Sequence, residues 1–274
     1  QSIEQAVQAA RESDIAIVVA GIEEGEFRDR GYLTLPGRQE ELIRKIAATG
    51  KPTVVILIGG SAVVMSEWLD QVPAVLNAWY PGVEGGNAVA DVLFGDYNPS
   101  GKLPITYPID EAQLPLNYSH KPTGRSDDYL NLTGEPLFPF GYGLSYSKFD
   151  YSGLKVTKAA QGTAFHVTFS VKNTGKYAAN EVVQLYLRDL IASVTQPIIR
   201  LIHFKPISLA PGETKELHFT VNENDLSMLD KKLNRVIEPG DFRLMIGRSC
   251  KDIRLKTTLT VNHPTALETN HKYK

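Results

Sequence analysis

The chain has 274 residues, of which 42% are hydrophobic and 22% are charged, a composition typical of a folded globular protein rather than a disordered one. This length is sufficient for two domains, each with its own core. The formal net charge of −2 leaves no basic surface of the kind that binds nucleic acid or an anionic membrane. We therefore expect neither nucleic acid nor a membrane as a partner.

Apolar runs and cysteine content exclude further classes of protein. The longest apolar stretch, Val54 to Met65, is interrupted by Gly59, Gly60 and Ser61, whereas a membrane-spanning helix needs about 20 apolar residues. The single cysteine, Cys250, excludes an internal disulfide and a cysteine-rich metal site. The six histidines do not show the spacing of metal ligands. We therefore expect no metal and no organic cofactor.

The chain opens on a helical pattern and continues into a strand. Apolar residues between Ile3 and Ala10 recur with helical spacing, and the continuous apolar run Ile15–Ala20 is typical of a buried strand. A helix that leads into a strand of a parallel sheet normally follows an earlier strand. We therefore expect that the chain begins inside a domain and is part of a longer protein.

Strand and helix patterns alternate through the first part of the chain. Further strands are predicted at Val54–Ile58, Ala74–Ala78 and Leu103–Tyr107, and helices from about Pro36, around Val64–Leu69 and at Gly86–Phe94. Continuous apolar runs separated by helices indicate an α/β fold with a mostly parallel sheet that helices cover. Because an earlier strand is expected, this domain is predicted to be an incomplete α/β sandwich.

The pattern changes twice after this domain. Residues 109–149 are rich in proline and glycine and show no periodicity, which we interpret as a linker that also reaches an active site. From Asp150 onward apolar residues alternate with polar ones, as in Phe165–Val171, and this predicts an all-β antiparallel sandwich. The predicted parts are residues 1–108 (α/β), 109–149 (linker), 150–262 (β-sandwich) and 263–274 (a polar tail).

The loop after the first strand carries most of the candidate chemistry. Ligands of parallel α/β sheets bind beyond the carboxyl ends of the strands, which is where this loop begins. Between Gly21 and Arg30 it contains three glutamates, one aspartate and two arginines. Carboxylates beside guanidinium groups suit acid/base chemistry, because each neighbour shifts the proton affinity of the other. The alternative is a charged loop that only faces solvent.

Three segments resemble glycoside hydrolase family 3. Residues 25–42, GEFRDRGYLTLPGRQEEL, resemble the part of that family that carries its acid/base loop. Residues 78–104, AWYPGVEGGNAVADVLFGDYNPSGKLP, form a long and specific second match. Residues 137–146, LFPFGYGLSY, are similar to the entry into the family's fibronectin type III-like domain. Together the matches extend over nearly the whole chain.

The resemblance implies an enzyme of three parts: a (β/α)₈-like barrel, an α/β sandwich and a fibronectin type III-like domain. The barrel, absent from this chain, would supply an aspartate nucleophile. The loop at residues 21–33 would supply a glutamate as general acid/base. Alignment on Asp29, Arg30 and the following Leu-Pro places this role on Glu26, and a small shift of register would choose Glu24 or Glu23 instead.

Other residues receive secondary roles. The resemblance implies that Arg30 and Asp29 orient the loop or contact a substrate hydroxyl. Arg125 and Asp127, in the long proline-rich loop, are candidates for reaching an active site of this or a neighbouring subunit.

The activity that the resemblance implies is that of a retaining, exo-acting β-glucosidase. Its partners would be β-linked glucosides or short gluco-oligosaccharides and the N-terminal barrel, with a homodimer possible, in the periplasm or outside the cell. The chain alone is predicted to be inactive, because it contains no convincing nucleophile. Two alternatives stay open: a β-xylosidase or other exo-β-glycosidase of the same family, and a catalytically inactive homologue that binds carbohydrate or acts as a scaffold.

Overall fold

The computed structural model describes residues 2–123 and 128–266, so the candidates Arg125 and Asp127 lie outside the described residues. The chain divides into two compact units. The first contains the described residues of 1–97, 106–116 and 135–138, and the second those of 98–105, 117–134 and 139–266. The domain boundaries inferred from the sequence stay predictions.

The first unit is built around a three-stranded parallel sheet. Its elements are α1 (Ile3–Arg11), β1 (Ala16–Gly21), α2 (Gln39–Ala47), β2 (Thr53–Ile58), β3 (Ala74–Trp79) and α3 (Gly85–Phe94). Strand β2 lies in the centre and pairs in parallel with β1 and β3. The predicted parallel α/β fold is therefore confirmed.

Burial in this sheet follows its strand order. Val55, Ile56 and Leu57 of the central strand are buried, as expected for a continuous apolar run covered on both faces. Ile43 and Ile46 of α2 are also buried. Strand β1 lies at the edge of the sheet and alternates, so that one of its faces is buried. The opposite face exposes two large apolar side chains, Ile17 (47%) and Val19 (65%), and Ile15 (54%), just before the strand, is exposed as well.

Two predicted elements of the first part are wrong. Leu103–Tyr107 is not a strand, and only an isolated bridge joins Tyr107 to Phe138. Proline at positions 104 and 108 interrupts the ladder there, because proline has no N–H to donate.

The helix expected around Val64–Leu69 is replaced by turns and a single 3₁₀ turn at Leu69–Gln71. The backbone N–H of Val64 donates to the carbonyl of Leu33 (2.9 Å), so the start of this segment is joined to the chain that precedes α2. Val64 and Met65 are nevertheless buried, which explains their apolar character.

The second unit is an antiparallel β structure that begins at β4. Its elements are β4 (Phe149–Lys158), β5 (Phe165–Asn173), β6 (Ala179–Asp189), β7 (Arg200–Leu209), β8 (Thr214–Val221), α4 (Glu223–Leu226), β9 (Met228–Leu229), β10 (Arg235–Ile237), β11 (Gly240–Gly247), β12 (Ile253–Val261) and β13 (Thr265–Ala266). The strand orders of its sheets are β12-β11-β6-β7, β4-β5-β8 and β13-β10-β9.

One apolar core fills the second unit. Phe165, Val167 and Phe169 of β5 are buried, together with Leu185 of β6 and Leu244 of β11. These side chains come from both larger sheets, so the two sheets share a core and form the predicted β-sandwich. Of the polar positions between the β5 residues, His166 is exposed and Thr168 is half-buried.

A buried cluster of charges also lies within the second unit. The carboxylate of Glu181, on β6, is fully buried. Its Oε1 lies 3.0 Å from Lys102 Nζ and accepts the backbone N–H of Val182 (2.8 Å), and its Oε2 accepts Arg248 Nε (2.9 Å). Lys102 also donates to the carbonyl of Gly143 (3.1 Å). The segment that contains Lys102 is therefore fixed to the sandwich by charge as well as by packing.

Within residues 2–123 and 128–266, no helix combines the length and the apolar character that crossing a membrane requires.

Candidate active site

The loops that follow β1, β2 and β3 leave the same edge of the parallel sheet, because the carboxyl ends of parallel strands lie together. The loop after β1, residues 22–38, contains the predicted glutamates. It begins at Gly21, whose N–H donates to Gln39 Oε1 (2.8 Å) and whose carbonyl accepts Gln39 Nε2 (2.9 Å). Further along, the carbonyl of Leu33 accepts the Val64 N–H. Both ends of the segment 21–33 are thus fixed to the first unit.

Glu24 lies inside this loop and is held by groups from the other two strand ends. Its Oε2 accepts the backbone N–H of Gly60 (2.9 Å) and lies 3.4 Å from the Tyr80 hydroxyl. Its Oε1 accepts a short hydrogen bond from the Ser61 hydroxyl and pairs with Arg30 Nε at 3.1 Å. Only 19% of the Glu24 side chain is exposed. This carboxylate is therefore engaged on both oxygens.

Arg30 completes the same network. Its Nη2 donates to Ser61 Oγ (2.6 Å) and to the carbonyl of Ala62 (2.9 Å), while Nη1 lies 3.4 Å from the carbonyl of Thr34. With 15% of its side chain exposed, the guanidinium is directed into the protein. Arg30 thus joins the loop after β1 to the segment after β2, while its role in orienting the loop or contacting a substrate hydroxyl stays a prediction.

The approach of Tyr80 to this network depends on a glycine. A Cβ on Gly60 would lie 2.6 Å from Cε2 of the Tyr80 ring and 3.1 Å from Glu24 Oε2, so any larger residue would displace them. Trp79, which directly precedes Tyr80, has a φ of 52°. This value lies in the left-handed region and costs a non-glycine residue about 1–3 kcal/mol. The tight contact and the strained backbone lie side by side at the carboxyl end of the sheet.

The ionisation of Glu24 follows from these contacts. Burial, the largest single influence, raises the pKa of Glu24, but hydrogen bonds from Ser61 and the Gly60 N–H and the charge of Arg30 together outweigh it. The net result is a pKa below the ordinary value of a glutamate. Glu24 is therefore held as a carboxylate and is a poor proton donor at neutral pH.

The tip of the loop is a different environment. Residues 25–29, which we call the apex, begin with a turn closed by the Arg28 N–H and the Gly25 carbonyl (3.0 Å). Glu26 is exposed there, and within the described part of the chain no hydrogen bond or ion pair holds its carboxylate. The next residue, Phe27, is 93% exposed and has a left-handed φ of 65°. The apex thus presents Glu26 to solvent.

The remaining charged residues of the loop lie on the surface. Glu23 pairs with Arg28 at 2.6 Å, with 85% and 63% of the two side chains exposed. Asp29 is also exposed. Within the described residues, no group of three or more His, Cys, Asp or Glu side chains is arranged to hold a metal ion.

The structure therefore separates the predicted residues into two sets. Glu24 and Arg30 lie together in a fixed network, whereas Glu23, Glu26 and Asp29 are exposed. Gly60, Ser61 and Tyr80 also belong to this site but were not predicted from the sequence. The available signal was their position, since each lies two or three residues after the end of a predicted strand and so at the same sheet edge.

Comparisons with known proteins identify two regions of the chain. Residues 1–146 match the model of the glycosyl hydrolase family 3 C-terminal domain, and residues 181–250 match that of a fibronectin type III-like domain. A protein from Salmonella typhimurium named periplasmic beta-glucosidase is 40% identical over 89% of this chain. A beta-xylosidase from Formosa agariphila is 42% identical over 94% of it.

A solved structure gives the same result. The beta-glucosidase from Listeria innocua in complex with glucose superposes with a TM-score of 0.91 over 96% of this chain, at 32% sequence identity. The chain spans only about a third of the length of its relatives, namely 34% of the Salmonella protein, 37% of the Formosa protein and 39% of the Listeria chain. Because the matching family model covers more than half of its residues, this chain belongs to glycosyl hydrolase family 3.

Proposed function

We propose that this chain is the C-terminal part of a retaining, exo-acting β-glucosidase, in which Glu26 is the general acid/base. The aspartate nucleophile would come from an N-terminal barrel, in the two thirds of the relatives' length that this chain does not span. The supporting observation is the contrast within one loop: Glu26 is exposed and unbound at the apex, whereas Glu24 is engaged on both oxygens.

The chemistry of acetals explains why this contrast matters. A glycosidic oxygen leaves easily only when it is protonated, so one carboxyl group must approach it and donate a proton. A second carboxylate, on the opposite face of the sugar, attacks the anomeric carbon and forms a glycosyl-enzyme. The first residue then removes a proton from the incoming water, which releases the sugar with retained configuration. In retaining enzymes the two carboxyl groups lie about 5–5.5 Å apart.

Glu26 fits the acid/base role better than its neighbours do. A group that gives and takes a proton in turn needs an open approach for the substrate oxygen and for water. Glu24 lacks this approach, because four donors surround its carboxylate, and three of them, Ser61, Gly60 and Arg30, lower its pKa. Glu23 pairs with Arg28 on the surface of the loop. Asp29, which is exposed beside them, stays a prediction for contact with a substrate hydroxyl.

The substrate is proposed to be a β-linked glucoside or a short gluco-oligosaccharide. The Salmonella and Listeria relatives, both named beta-glucosidases, support this choice. A β-xylosidase is the second candidate, and the Formosa relative, which bears that name, favours it at 42% identity. Comparison of kcat/KM for 4-nitrophenyl β-glucoside and β-xyloside in the full-length protein separates the two.

Location and assembly are proposed on narrower grounds. The name of the Salmonella relative supports a periplasmic or secreted protein. Fractionation of cells that express the full-length protein tests this. A homodimer stays a prediction that light scattering tests.

The acid/base role is tested with Glu26→Gln in the full-length protein. We expect that hydrolysis of glucosides with poor leaving groups falls by about 10²–10⁴-fold, because proton transfer is lost. Dinitrophenyl glucosides, whose leaving group needs no proton, should form the glycosyl-enzyme at a nearly normal rate. Azide should then accelerate turnover and yield a glucosyl azide of retained configuration.

A matched comparison assigns the role among the glutamates. If Glu26→Gln hydrolyses both kinds of substrate normally, Glu26 is not the acid/base, and the azide experiment is repeated with Glu24→Gln and Glu23→Gln. If the wild-type protein hydrolyses no aryl glycoside at all, the inactive, carbohydrate-binding alternative is favoured instead.

A further inference from the structure

We propose that Glu24, Arg30 and Ser61 act as a brace that positions Glu26, with Glu24 as a positioning residue rather than an acid or a base. This inference rests on the proposed function, because it gives the brace a purpose only if Glu26 transfers the proton. It concerns residues that the catalytic chemistry itself does not use.

The brace connects the two sides of the apex. Glu24 directly precedes residues 25–29 and Arg30 directly follows them, and the two side chains pair with each other at 3.1 Å. Both also bond to Ser61, and Glu24 bonds to Gly60, in the segment that follows β2. The apex is therefore a short loop whose ends are joined to each other and to the rigid sheet.

The distance along the chain makes this coupling strong. Glu26 is two residues from Glu24, and two residues of extended chain span at most about 7 Å. A displacement of the Glu24 backbone therefore also displaces Glu26, because only one residue separates them. Misplacement of a catalytic group by about 1 Å can cost about 10²-fold in rate. Fixing Glu24 should therefore affect the catalytic rate through the position of Glu26, although Glu26 itself is exposed.

The charge of Glu24 suits a constant tether. Its carboxylate accepts from a hydroxyl, a backbone N–H and a guanidinium, and each of these favours the ionised form. A group that stays ionised while Glu26 gains and loses a proton holds the loop through the whole cycle. Glu24 would thus hold the loop, and Glu26, two positions further on, would transfer the proton.

A double-mutant cycle in the full-length protein tests the proposal. Glu24→Gln keeps the size of the side chain but removes the ion pair. We expect it to lower kcat for glucosides with poor leaving groups by about 10²-fold, with less than about 3-fold change in KM. In the Glu26→Gln background the same substitution should cost less than about 3-fold, because there is no longer an acid/base to position.

The control is Arg28→Gln, which breaks the exposed ion pair with Glu23 in the same loop. It should leave kcat within about 2-fold of the wild type. If Glu24→Gln does not fold, as judged by circular dichroism, Ser61→Ala replaces it. That variant keeps the ion pair and removes one hydrogen-bond donor to Glu24. Its loss of kcat should therefore be smaller than that of Glu24→Gln, and this loss should also disappear in the Glu26→Gln background.

Each other outcome overturns a different statement. If the effects of Glu24→Gln and Glu26→Gln multiply, or if Glu24→Gln has no effect, the brace does not act through Glu26, while the proposed function stands. If Glu26→Gln is normal and Glu24→Gln is inactive but rescued by azide, Glu24 is itself the acid/base, and both proposals fail.

Discussion

Lys102 Nζ lies 3.0 Å from Glu181 Oε1, with 9% of the lysine side chain and none of the glutamate side chain exposed. The second oxygen of Glu181 accepts Arg248 Nε, so one buried carboxylate serves two cations. Burial lowers the pKa of Lys102, and the negative charge of Glu181 opposes this effect. Removing Glu181 would therefore leave two cations in the core without their counter-charge.

The first prediction concerns this cluster. Glu181→Gln should lower the free energy of unfolding of the second unit by about 3–5 kcal/mol, which is the usual cost of leaving a buried charge unpaired. Hydrogen exchange of the backbone amides of β6 and β11 in the whole chain measures it. Arg254→Gln, which breaks an exposed pair with Asp252, is the control and should cost at most about 1 kcal/mol. Equal protection in both variants would contradict the prediction.

The second prediction concerns Gly60. Gly60→Ala should lower the free energy of unfolding of the first unit by about 1–3 kcal/mol, because its Cβ would meet Tyr80 and Glu24. Thermal unfolding followed by tryptophan fluorescence is suited to this, since Trp68 and Trp79 both lie in the first unit.

A matched glycine provides the control. A Cβ on Gly86, in helix α3, meets nothing within 4 Å. Gly86→Ala should therefore raise the stability by about 0.4–1 kcal/mol, because alanine loses less backbone entropy on folding. If both substitutions changed the unfolding temperature in the same direction, the contact of Gly60 with Tyr80 would not be the cause.

The third prediction concerns pH. The pKa of Glu24 is lower in the folded protein than its ordinary value of 4.5, so the folded state favours the ionised form. A carboxyl of this kind adds stability that is fully present above the unfolded pKa and is lost as the pH falls through the folded pKa. The difference in unfolding temperature between wild type and Glu24→Gln should therefore be constant from pH 7 to about 5.5 and shrink below pH 4.5. A difference that grows in acid would mean that Glu24 is protonated in the folded state.

The fourth prediction concerns the chain by itself. We expect no hydrolysis of 4-nitrophenyl β-glucoside above the background rate, because the proposed nucleophile lies outside this chain. The measurement compares the isolated chain, the full-length protein and the full-length Glu26→Gln variant at equal concentration. Turnover by the isolated chain that disappears in its own Glu26→Gln variant would show that a nucleophile is present here after all.

The sequence predicts the fold well where burial has a simple period. In β5 every second residue is buried. In β2 three successive apolar residues, Val55, Ile56 and Leu57, are buried, so both strands are visible as patterns. Strand β7 has no such pattern, because it lies at a sheet edge, is only half-buried from Arg200 to His203 and is exposed from Phe204 to Pro206. The predicted strand at Leu103–Tyr107 fails for the opposite reason: it is largely apolar, but Pro104 lies within it and Pro108 directly follows it.

The sequence predicts the site only to the level of the loop. It identifies the segment that contains Glu24 and Glu26, but it does not distinguish a held carboxylate from a free one. The groups that hold Glu24 lie far away in sequence, at Gly60 (36 residues) and Tyr80 (56 residues). Only the folded sheet brings these positions together, so the different surroundings of Glu24 and Glu26 can be seen only in the structure.

The exposed face of β1 has a practical consequence for work on this chain. Ile17 and Val19 lie on β1, with Ile15 just before it, and this strand has a neighbour on only one side within the described residues. Such an edge offers both a hydrogen-bonding ladder and an apolar surface to any other extended chain, including a second copy. Samples of the isolated chain should therefore precipitate or form oligomers as the concentration rises. Lysine in place of Ile17 is the simplest change that would keep them monodisperse, because a charged side chain on an edge strand opposes pairing.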